Sequence, residues 1–328
     1  MSSIPLSARH LTLSDSRSTA TQSMPATDAP TRHVRRFSTL SRHDIRVAGR
    51  AGANLGEMTR ALLPVPPGFV VTVAAYDRFS TRTGLRAAIA RLLRSVDFES
   101  PQSIEATARA IRQIAGDANI PEEIRDDIVA AYRQLGGPEA APSVAVWLSG
   151  SGADAADSAL ARMDESNIGV SGEQALLERI LACWGSAFGA QEICRRVKQG
   201  FPADPALAVI VQRTVESVKS GVMVTANLAT NDRSQIVVEA TRRMGEALSA
   251  DPVTPDRYIL DKATLMVMDR EIAENSIGIQ SAVLTDREIH TLGALACKSE
   301  VHYGKPQMLE FAIDVNGKIF LLRSKSCP

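Results

Sequence analysis

A glycine-rich run near the start of the chain has the residue types that bind phosphate. The run is Gly49-Arg-Ala-Gly-Ala-Asn-Leu-Gly-Glu-Met58. Gly49 and Gly52 permit a tight turn and close backbone approach, and we expect Asn54 to cap the helix that follows. Free backbone N–H groups at such a helix start attract a phosphate. A plain loop–helix junction is the alternative, because a lone glycine-rich loop is a weak signal.

Further motifs along the chain make this signal more specific. In order they are Leu63-Pro-Val-Pro-Pro-Gly-Phe-Val-Val-Thr72, Val211-Gln-Arg, Ser220-Gly-Val-Met-Val-Thr-Ala-Asn227, Val238-Glu-Ala, Gly245-Glu-Ala, Val253-Thr-Pro-Asp-Arg-Tyr258, His302-Tyr-Gly-Lys-Pro-Gln307 and Lys318-Ile-Phe-Leu-Leu322. From about residue 40 to the end, the chain resembles the nucleotide-binding domain shared by phosphoenolpyruvate synthase, pyruvate phosphate dikinase and rifampin phosphotransferase. The resemblance implies an α/β (α+β), two-lobed fold of the ATP-grasp type. It also implies ATP and Mg²⁺ as cofactors.

Two positions at which this family places cations differ here. The family's phosphate-binding lysine aligns with Ala51. The neighbouring Arg50 either takes its role, if the turn is shifted by one residue, or remains a solvated charge. The family's next phosphate-binding arginine is replaced by Trp147, which removes a charge and fills space. The run Ser149-Gly-Ser-Gly152 can still form an anion-binding nest of backbone N–H groups.

The last hairpin carries the family's metal ligands, and it is altered too. Met308 replaces an aspartate, whereas Glu310 remains as the candidate Mg²⁺ ligand. Arg323 replaces a glutamine ligand and Lys325 replaces an arginine, and both are candidate nucleotide contacts. A guanidinium beside Glu310 competes with a divalent ion for the carboxylate. Two outcomes stay open: metal binding by Glu310, or an internal ion pair between Glu310 and Arg323.

The residues expected around the base and ribose are better retained. By the resemblance, the further candidates for nucleotide binding are Gln212, Glu239, Gly245 and Glu246. The loop that leads to Gly245 and Glu246 has lost one of the family's glycines and gained Arg242 and Arg243. These two arginines either attract anions or are solvated.

Two functions of different classes follow from these changes. The motifs that carry the fold are nearly unaltered, whereas most charge-bearing positions are changed. This favours a stand-alone, catalytically impaired domain, a pseudoenzyme that acts as a binding or regulatory module. The alternative is an ATP-dependent phosphotransferase of the kinase or dikinase type. None of the five histidines lies in the family's phosphohistidine context, so this activity needs a separate phosphohistidine-domain protein or a small-molecule acceptor. No catalytic residue is assigned.

Composition narrows the choice of partners and location. The 328 residues carry no formal net charge, which gives no indication of a surface for nucleic acid or membrane. The four cysteines lack the spacing of a metal site. Residues 1–38 are rich in Ser, Thr and Arg, and we expect a disordered tail there. The expected location is cytoplasmic; a tail that acts as a secretion or transit signal is the alternative.

The spacing of apolar residues predicts the elements that position these candidates. Helices are expected at 72–93, 103–115, 121–135, 172–198 (as one helix or a pair) and 286–301, the last begun by a capping box at Thr285. Strands are expected at 143–148, 207–212, 221–226, 235–239, 258–261, 265–269, 309–313 and 318–324. An Asn-Gly turn closes the last hairpin. The helix-rich first lobe is expected over residues 39–205 and the strand-rich second lobe over 206–328.

Overall fold

The computed structural model describes residues 32–136, 141–150, 167–202, 204–242, 254–273 and 281–327. Within these ranges the helices are α1 (Ile45–Arg60), α2 (Val73–Arg82), α3 (Leu85–Ser95), α4 (Pro101–Asp117), α5 (Glu122–Gly136), α6 (Glu173–Ser186), α7 (Ala190–Lys198) and α8 (Asp286–Tyr303). The strands are β1 (Val34–Arg36), β2 (Gly68–Val71), β3 (Val144–Gly150), β4 (Leu207–Arg213), β5 (Ser217–Val224), β6 (Gln235–Arg242), β7 (Asp256–Asp261), β8 (Val267–Glu271), β9 (Gln307–Asp314) and β10 (Ile319–Ser326).

The first lobe is built on an antiparallel sheet of four strands in the order β1-β2-β4-β3. Alternate residues of its strands, such as Val209 and Val211, face the core formed with helices α2 to α7. Trp184 lies fully buried in this core and stacks on Phe79, with ring centroids 4.6 Å apart. Removal of these apolar side chains from water is the main source of the lobe's stability.

The second lobe is an antiparallel sheet of six strands in the order β10-β9-β5-β6-β7-β8. Helix α8 covers one face of this sheet through Ile289, Leu292 and Ala296. The predicted capping box is confirmed: the Thr285 hydroxyl accepts from the Glu288 N–H, and the Glu288 carboxylate accepts from the Thr285 N–H at 2.8 Å. Two of the four free N–H groups at the helix start are thereby satisfied.

The change from one sheet to the other comes later than the lobe boundary expected from the sequence. Strand β4 follows residue 206, yet it pairs with β2 and β3 in the first sheet. The crossing between sheets therefore lies between Arg213 and Ser217. The sequence predicts the boundary from the proline and glycine residues before β4. These residues end helix α7, but the first lobe continues through β4.

Two further expectations need correction. The predicted helix over 72–93 is broken at Gly84, which adopts a φ of +74° and separates α2 from α3. Asn54 does not cap α1, because it lies within the helix; the break in the helical backbone is at Gly49, with φ +69° and ψ 173°. Of the two forms left open for 172–198, the structure shows the pair, α6 and α7.

The close approach of strands in the second sheet depends on Gly221. A Cβ atom at this position would lie 1.9 Å from the Glu239 carbonyl oxygen and 2.8 Å from a ring carbon of Phe311. Backbone cannot give way as a flexible side chain does, so any larger residue must push β5 away from β6. The glycine of the Ser-Gly-Val-Met motif therefore permits the close approach of β5 and β6.

We expect Gly221→Ala to lower the free energy of unfolding by about 1–3 kcal/mol, because the added methyl group meets the backbone of β6. Gly116→Ala is the matched control, since nothing lies within 4 Å of its added Cβ on helix α4. Thermal or urea unfolding of the two variants checks this. Equal stability of both would show that the strands are not in the close contact described.

No helix within the described residues has both the length and the apolar character that a membrane span requires.

Candidate functional site

Four of the candidate residues lie together on one face of the six-stranded sheet. On β5, Lys219 donates to Glu288 of α8 at 2.8 Å, so Lys219 and its alternate neighbours face the helix. Val222 has the opposite orientation, and its ladder partners are Glu239 on β6 and Glu310 on β9. We call this side of the sheet the open face. Its residues include Ser220, Val222, Val224, Val237, Glu239, Arg257, Ile259, Met308, Glu310, Ala312, Arg323 and Lys325.

A β-bulge brings the two basic residues of β10 to the open face. Leu321 pairs with Phe311 on the helix-covered side, but the register shifts before the next pair, Arg323 with Glu310. The extra residue, Leu322, reverses which side each following residue faces. Lys325 then lies opposite Met308. Without the bulge, both cations would face α8.

The carboxylates of the open face have cations beside them. Arg323 Nη1 lies 3.5 Å from Glu310 Oε1, and the two side chains are 30% and 39% exposed. Of the alternatives left open by the sequence, the structure shows this ion pair. Glu239 is exposed and lies opposite Arg257 in the ladder, and Arg257 also approaches Glu271 at 3.5 Å. Such exposed pairs stabilise the fold little, typically by less than about 1 kcal/mol, so they are available to rearrange around a ligand.

Helix α1 contacts the end of β10. The Asn54 amide donates to the Ser324 carbonyl at 2.6 Å, and the Leu321 N–H donates to the Pro64 carbonyl at 2.8 Å. Arg50 lies one helical turn before Asn54 on α1. The side chains of Arg50 and Lys325 are exposed, and neither side chain has a hydrogen bond or ion pair within the described residues.

The glycine-rich turn is fixed by the end of β3. The buried Ser149 hydroxyl donates to the Ala48 carbonyl at 2.8 Å and accepts from the Gly52 N–H at 3.1 Å. A Cβ on Gly49 would lie 2.2 Å from the Ser149 Oγ, so only glycine fits here. One N–H of the turn is thus already satisfied by protein. The other half of the expected nest, residues 151 and 152, lies outside the described residues.

Trp147, at the family's arginine position, is a core residue. It is 2% exposed and belongs to the hydrophobic cluster that joins α1 to both sheets. Its indole N–H has no hydrogen-bond partner among the described residues. The side chain fills the interior and offers neither charge nor a donor to the open face.

The remaining candidates are dispersed. Gln212 is 3% exposed, belongs to the first sheet and donates its amide to the Pro66 carbonyl at 3.2 Å. Arg242 faces α8 and donates to the carbonyl groups of Ser281 and Ala282. Gly245, Glu246 and Arg243 lie outside the described residues. The structure therefore brings together Glu239, Glu310, Arg323 and Lys325 on one sheet face. It places Arg50 on α1, one helical turn before the residue that contacts the end of β10, and it does not bring Gln212 to this face.

Sequence reasoning missed two features of this face. The sequence predicts Arg257 only as part of a fold motif, and the structure shows it between the buried Asp256 and Tyr258, facing the opposite side of the strand. The bulge at Leu322 has no glycine or other local marker in the sequence.

The donor set does not suit Mg²⁺. A magnesium ion requires several oxygen ligands at about 2.1 Å in octahedral arrangement. The described ranges contain no group of three or more His, Cys, Asp or Glu residues that could hold a metal ion. Glu310, the expected ligand, is instead paired with Arg323.

Comparison with known proteins decides the family. Residues 45–326 match the family described as pyruvate phosphate dikinase, AMP/ATP-binding domain. The chain belongs to this family. The resemblance expected from the motifs is thereby confirmed, and so is the expected α/β architecture, with its helix-rich and strand-rich lobes.

Individual relatives are considerably longer than this chain. A phosphoenolpyruvate synthase of Pyrococcus furiosus is 30% identical over 355 residues, covering 90% of this chain and 43% of that protein. A protein of Archaeoglobus fulgidus named "Probable phosphoenolpyruvate synthase" is 36% identical over 305 residues, covering 87% of this chain and 40% of that protein. The chain thus spans less than half the length of both. Among solved structures, D-alanyl-alanine synthetase A of Vibrio cholerae is 11% identical with a TM-score of 0.36, covering 86% of this chain and 59% of that one; this likeness carries no argument about the site.

In this member of the pyruvate phosphate dikinase family, a buried carboxylate ties α1 to α8. Glu57 accepts from the Arg42 N–H at 3.0 Å and bonds His302 Nε2 at 2.8 Å. The neighbouring Tyr303 hydroxyl donates to Asn54 at 2.6 Å. Burial alone would raise the pKa of Glu57, but the Arg42 and His302 hydrogen bonds and the Arg42 charge outweigh it, so the pKa lies below the ordinary value of 4.5. The ionised form is therefore favoured by folding.

A lowered pKa in the folded state means that Glu57 contributes stability above its unfolded pKa and that this contribution is lost as pH falls through the folded pKa. We expect Glu57→Gln to lower the free energy of unfolding by about 1–3 kcal/mol near neutral pH. The difference from wild type should shrink as pH falls below about 4.5, through the lowered pKa of the folded state. Urea unfolding over this range measures it, with the exposed Glu122→Gln as control. A difference that stays constant with pH would contradict the buried ionised contact.

Proposed function

We propose that the chain binds an adenine nucleotide on the open face of the six-stranded sheet and acts as a binding or regulatory module. The observation that carries this proposal is the gathering of Glu239, Glu310, Arg323 and Lys325 on one sheet face. Its family is described as an AMP/ATP-binding domain. Carboxylates suit ribose hydroxyl groups as acceptors, and the cations suit phosphate. We assign Arg50 to the phosphate side as well, because it lies one helical turn before Asn54, which bonds Ser324 of β10.

The case against turnover comes from the positions that have lost charge. Phosphoryl transfer depends on cations and metal ions that stabilise the charge of the transferred group. Trp147 is enclosed in the core and Ala51 carries no charge. Glu310 is engaged by Arg323. Loss of one well-placed group of this kind costs about 3–4 kcal/mol of transition-state stabilisation, and several are changed together.

An ATP-dependent phosphotransferase is the second candidate. Arg50 and Lys325 support it, since both side chains are exposed and have no ion-pair partner within the described residues. Two such cations are able to replace a lost phosphate clamp. The relatives described above are named phosphoenolpyruvate synthases. Such an activity would use a separate phosphohistidine-domain protein or a small molecule, such as pyruvate, as acceptor.

Isothermal titration calorimetry with ATP is carried out in two buffers, one containing Mg²⁺ and the other a chelator. We expect ATP to bind in at least one of them. Lys325→Gln and Arg50→Gln should each weaken binding by about tenfold, which corresponds to the loss of one charge-assisted contact of about 1.4 kcal/mol. Arg94→Gln on helix α3 is the control, since this exposed residue lies in the first lobe. Absence of binding in both buffers would contradict the proposed function.

Consumption of ATP separates the two candidates. We expect the release of AMP, ADP and phosphate from ATP with Mg²⁺ and pyruvate to stay at the level of a reaction without protein, because several charge-bearing positions of the family are replaced in this sequence. Saturable turnover that is lost in Lys325→Gln but kept in Arg94→Gln would establish the phosphotransferase instead.

A further inference from the structure

We infer that nucleotide binding by this chain needs no divalent cation, because Arg323 supplies at Glu310 the positive charge that a metal ion would supply. This inference rests on the proposed function and specifies its ligand as a metal-free nucleoside diphosphate or triphosphate. It starts from the contact of the Arg323 guanidinium with Glu310, at 3.5 Å. A cation at that distance neutralises the carboxylate and repels a second cation from it.

The sheet does not offer Glu310 a partner for metal binding. The next position on the same face of β9 is Met308, whose thioether is a poor ligand for a hard ion such as Mg²⁺. Glu239 is two strands away, with Val222 between, so its Cα atom is about 10 Å from that of Glu310. Glu239 also has Arg257 opposite it in the ladder. Glu310 and Glu239 thus each have an arginine opposite them on the neighbouring strand.

The same arrangement favours an anion. The bulge at Leu322 turns Arg323 and Lys325 to the open face two residues apart, on one strand and on one side. A guanidinium presents a planar set of N–H donors that matches two phosphate oxygens, and the ammonium adds a point charge. Together they carry two positive charges, as a magnesium ion does. ATP bound to Mg²⁺ has two fewer negative charges than free ATP, so the cations attract the free form more strongly.

Calorimetric titration of the chain with ATP, in excess Mg²⁺ and in EDTA without Mg²⁺, tests the inference. For wild type we expect the dissociation constant in EDTA to be equal to or lower than that in Mg²⁺. Arg323→Gln places a neutral oxygen beside Glu310. We expect this variant to bind ATP about tenfold more weakly than wild type in EDTA. The variant should therefore bind ATP more tightly in Mg²⁺ than in EDTA. Arg323→Lys retains the charge and should keep the wild-type order.

The outcomes distinguish this inference from the proposed function. Wild-type binding that is seen only with Mg²⁺, or is tightened by it tenfold or more, would overturn the inference and leave the proposed function standing. Absence of binding in both buffers would overturn both. An Arg323→Gln variant that binds equally in EDTA and in Mg²⁺ would show that Arg323 does not take the place of the metal. Melting curves without nucleotide establish that each variant is folded.

Discussion

Helix α1 is packed against its neighbours at positions where no side chain fits, and the placement of the candidate site depends on this contact. A Cβ on Gly49 would overlap Ser149, and one on Gly56 would lie 2.4 Å from the Leu40 side chain. These glycines bring the helix directly against the first lobe. On its other side, Asn54 and Glu57 bond to the second lobe. Because α1 contacts both lobes closely, the position of Asn54 against the end of β10 is defined.

The second determinant is the register of the six-stranded sheet. Cross-strand pairing aligns Glu239, Val222 and Glu310, and the bulge at Leu322 then adds Arg323 and Lys325 to the same face. A shift of one residue in β10 would direct both cations into the side covered by α8. The alignment of charged side chains on the open face therefore depends on how the strands pair, and no single strand determines it. Gly221, which permits the close approach of β5 and β6, supports the same alignment.

Local sequence patterns are sufficient to predict much of the fold. The capping box at Thr285 predicts the start of α8, and the Asn-Gly turn predicts the β9–β10 hairpin, because both depend on residues close together in the chain. The break at Gly84 was missed because apolar spacing continues across it. The membership of β4 in the first sheet was missed for a different reason: strand pairing is decided by contacts between distant residues.

The candidate site was predictable in its residue types and less so in its geometry. The motifs indicate which charged residues are kept or replaced, but they do not show that Trp147 is enclosed by the core or that Gln212 bonds to the Pro66 carbonyl. The ion pair of Glu310 with Arg323 was one of two alternatives, and only the ladder register decides between them. Whether a charge at a family position faces a ligand depends on bulges and packing that no local pattern contains.

The central claim is that the cations of the open face hold the phosphates of a nucleotide directly. A crystal structure of the chain with ADP, grown with a chelator, is the most direct measurement of this. The expected result is a diphosphate within hydrogen-bond distance of Arg323 and Lys325, with Trp147 still buried. A diphosphate bound away from the open face would contradict the account.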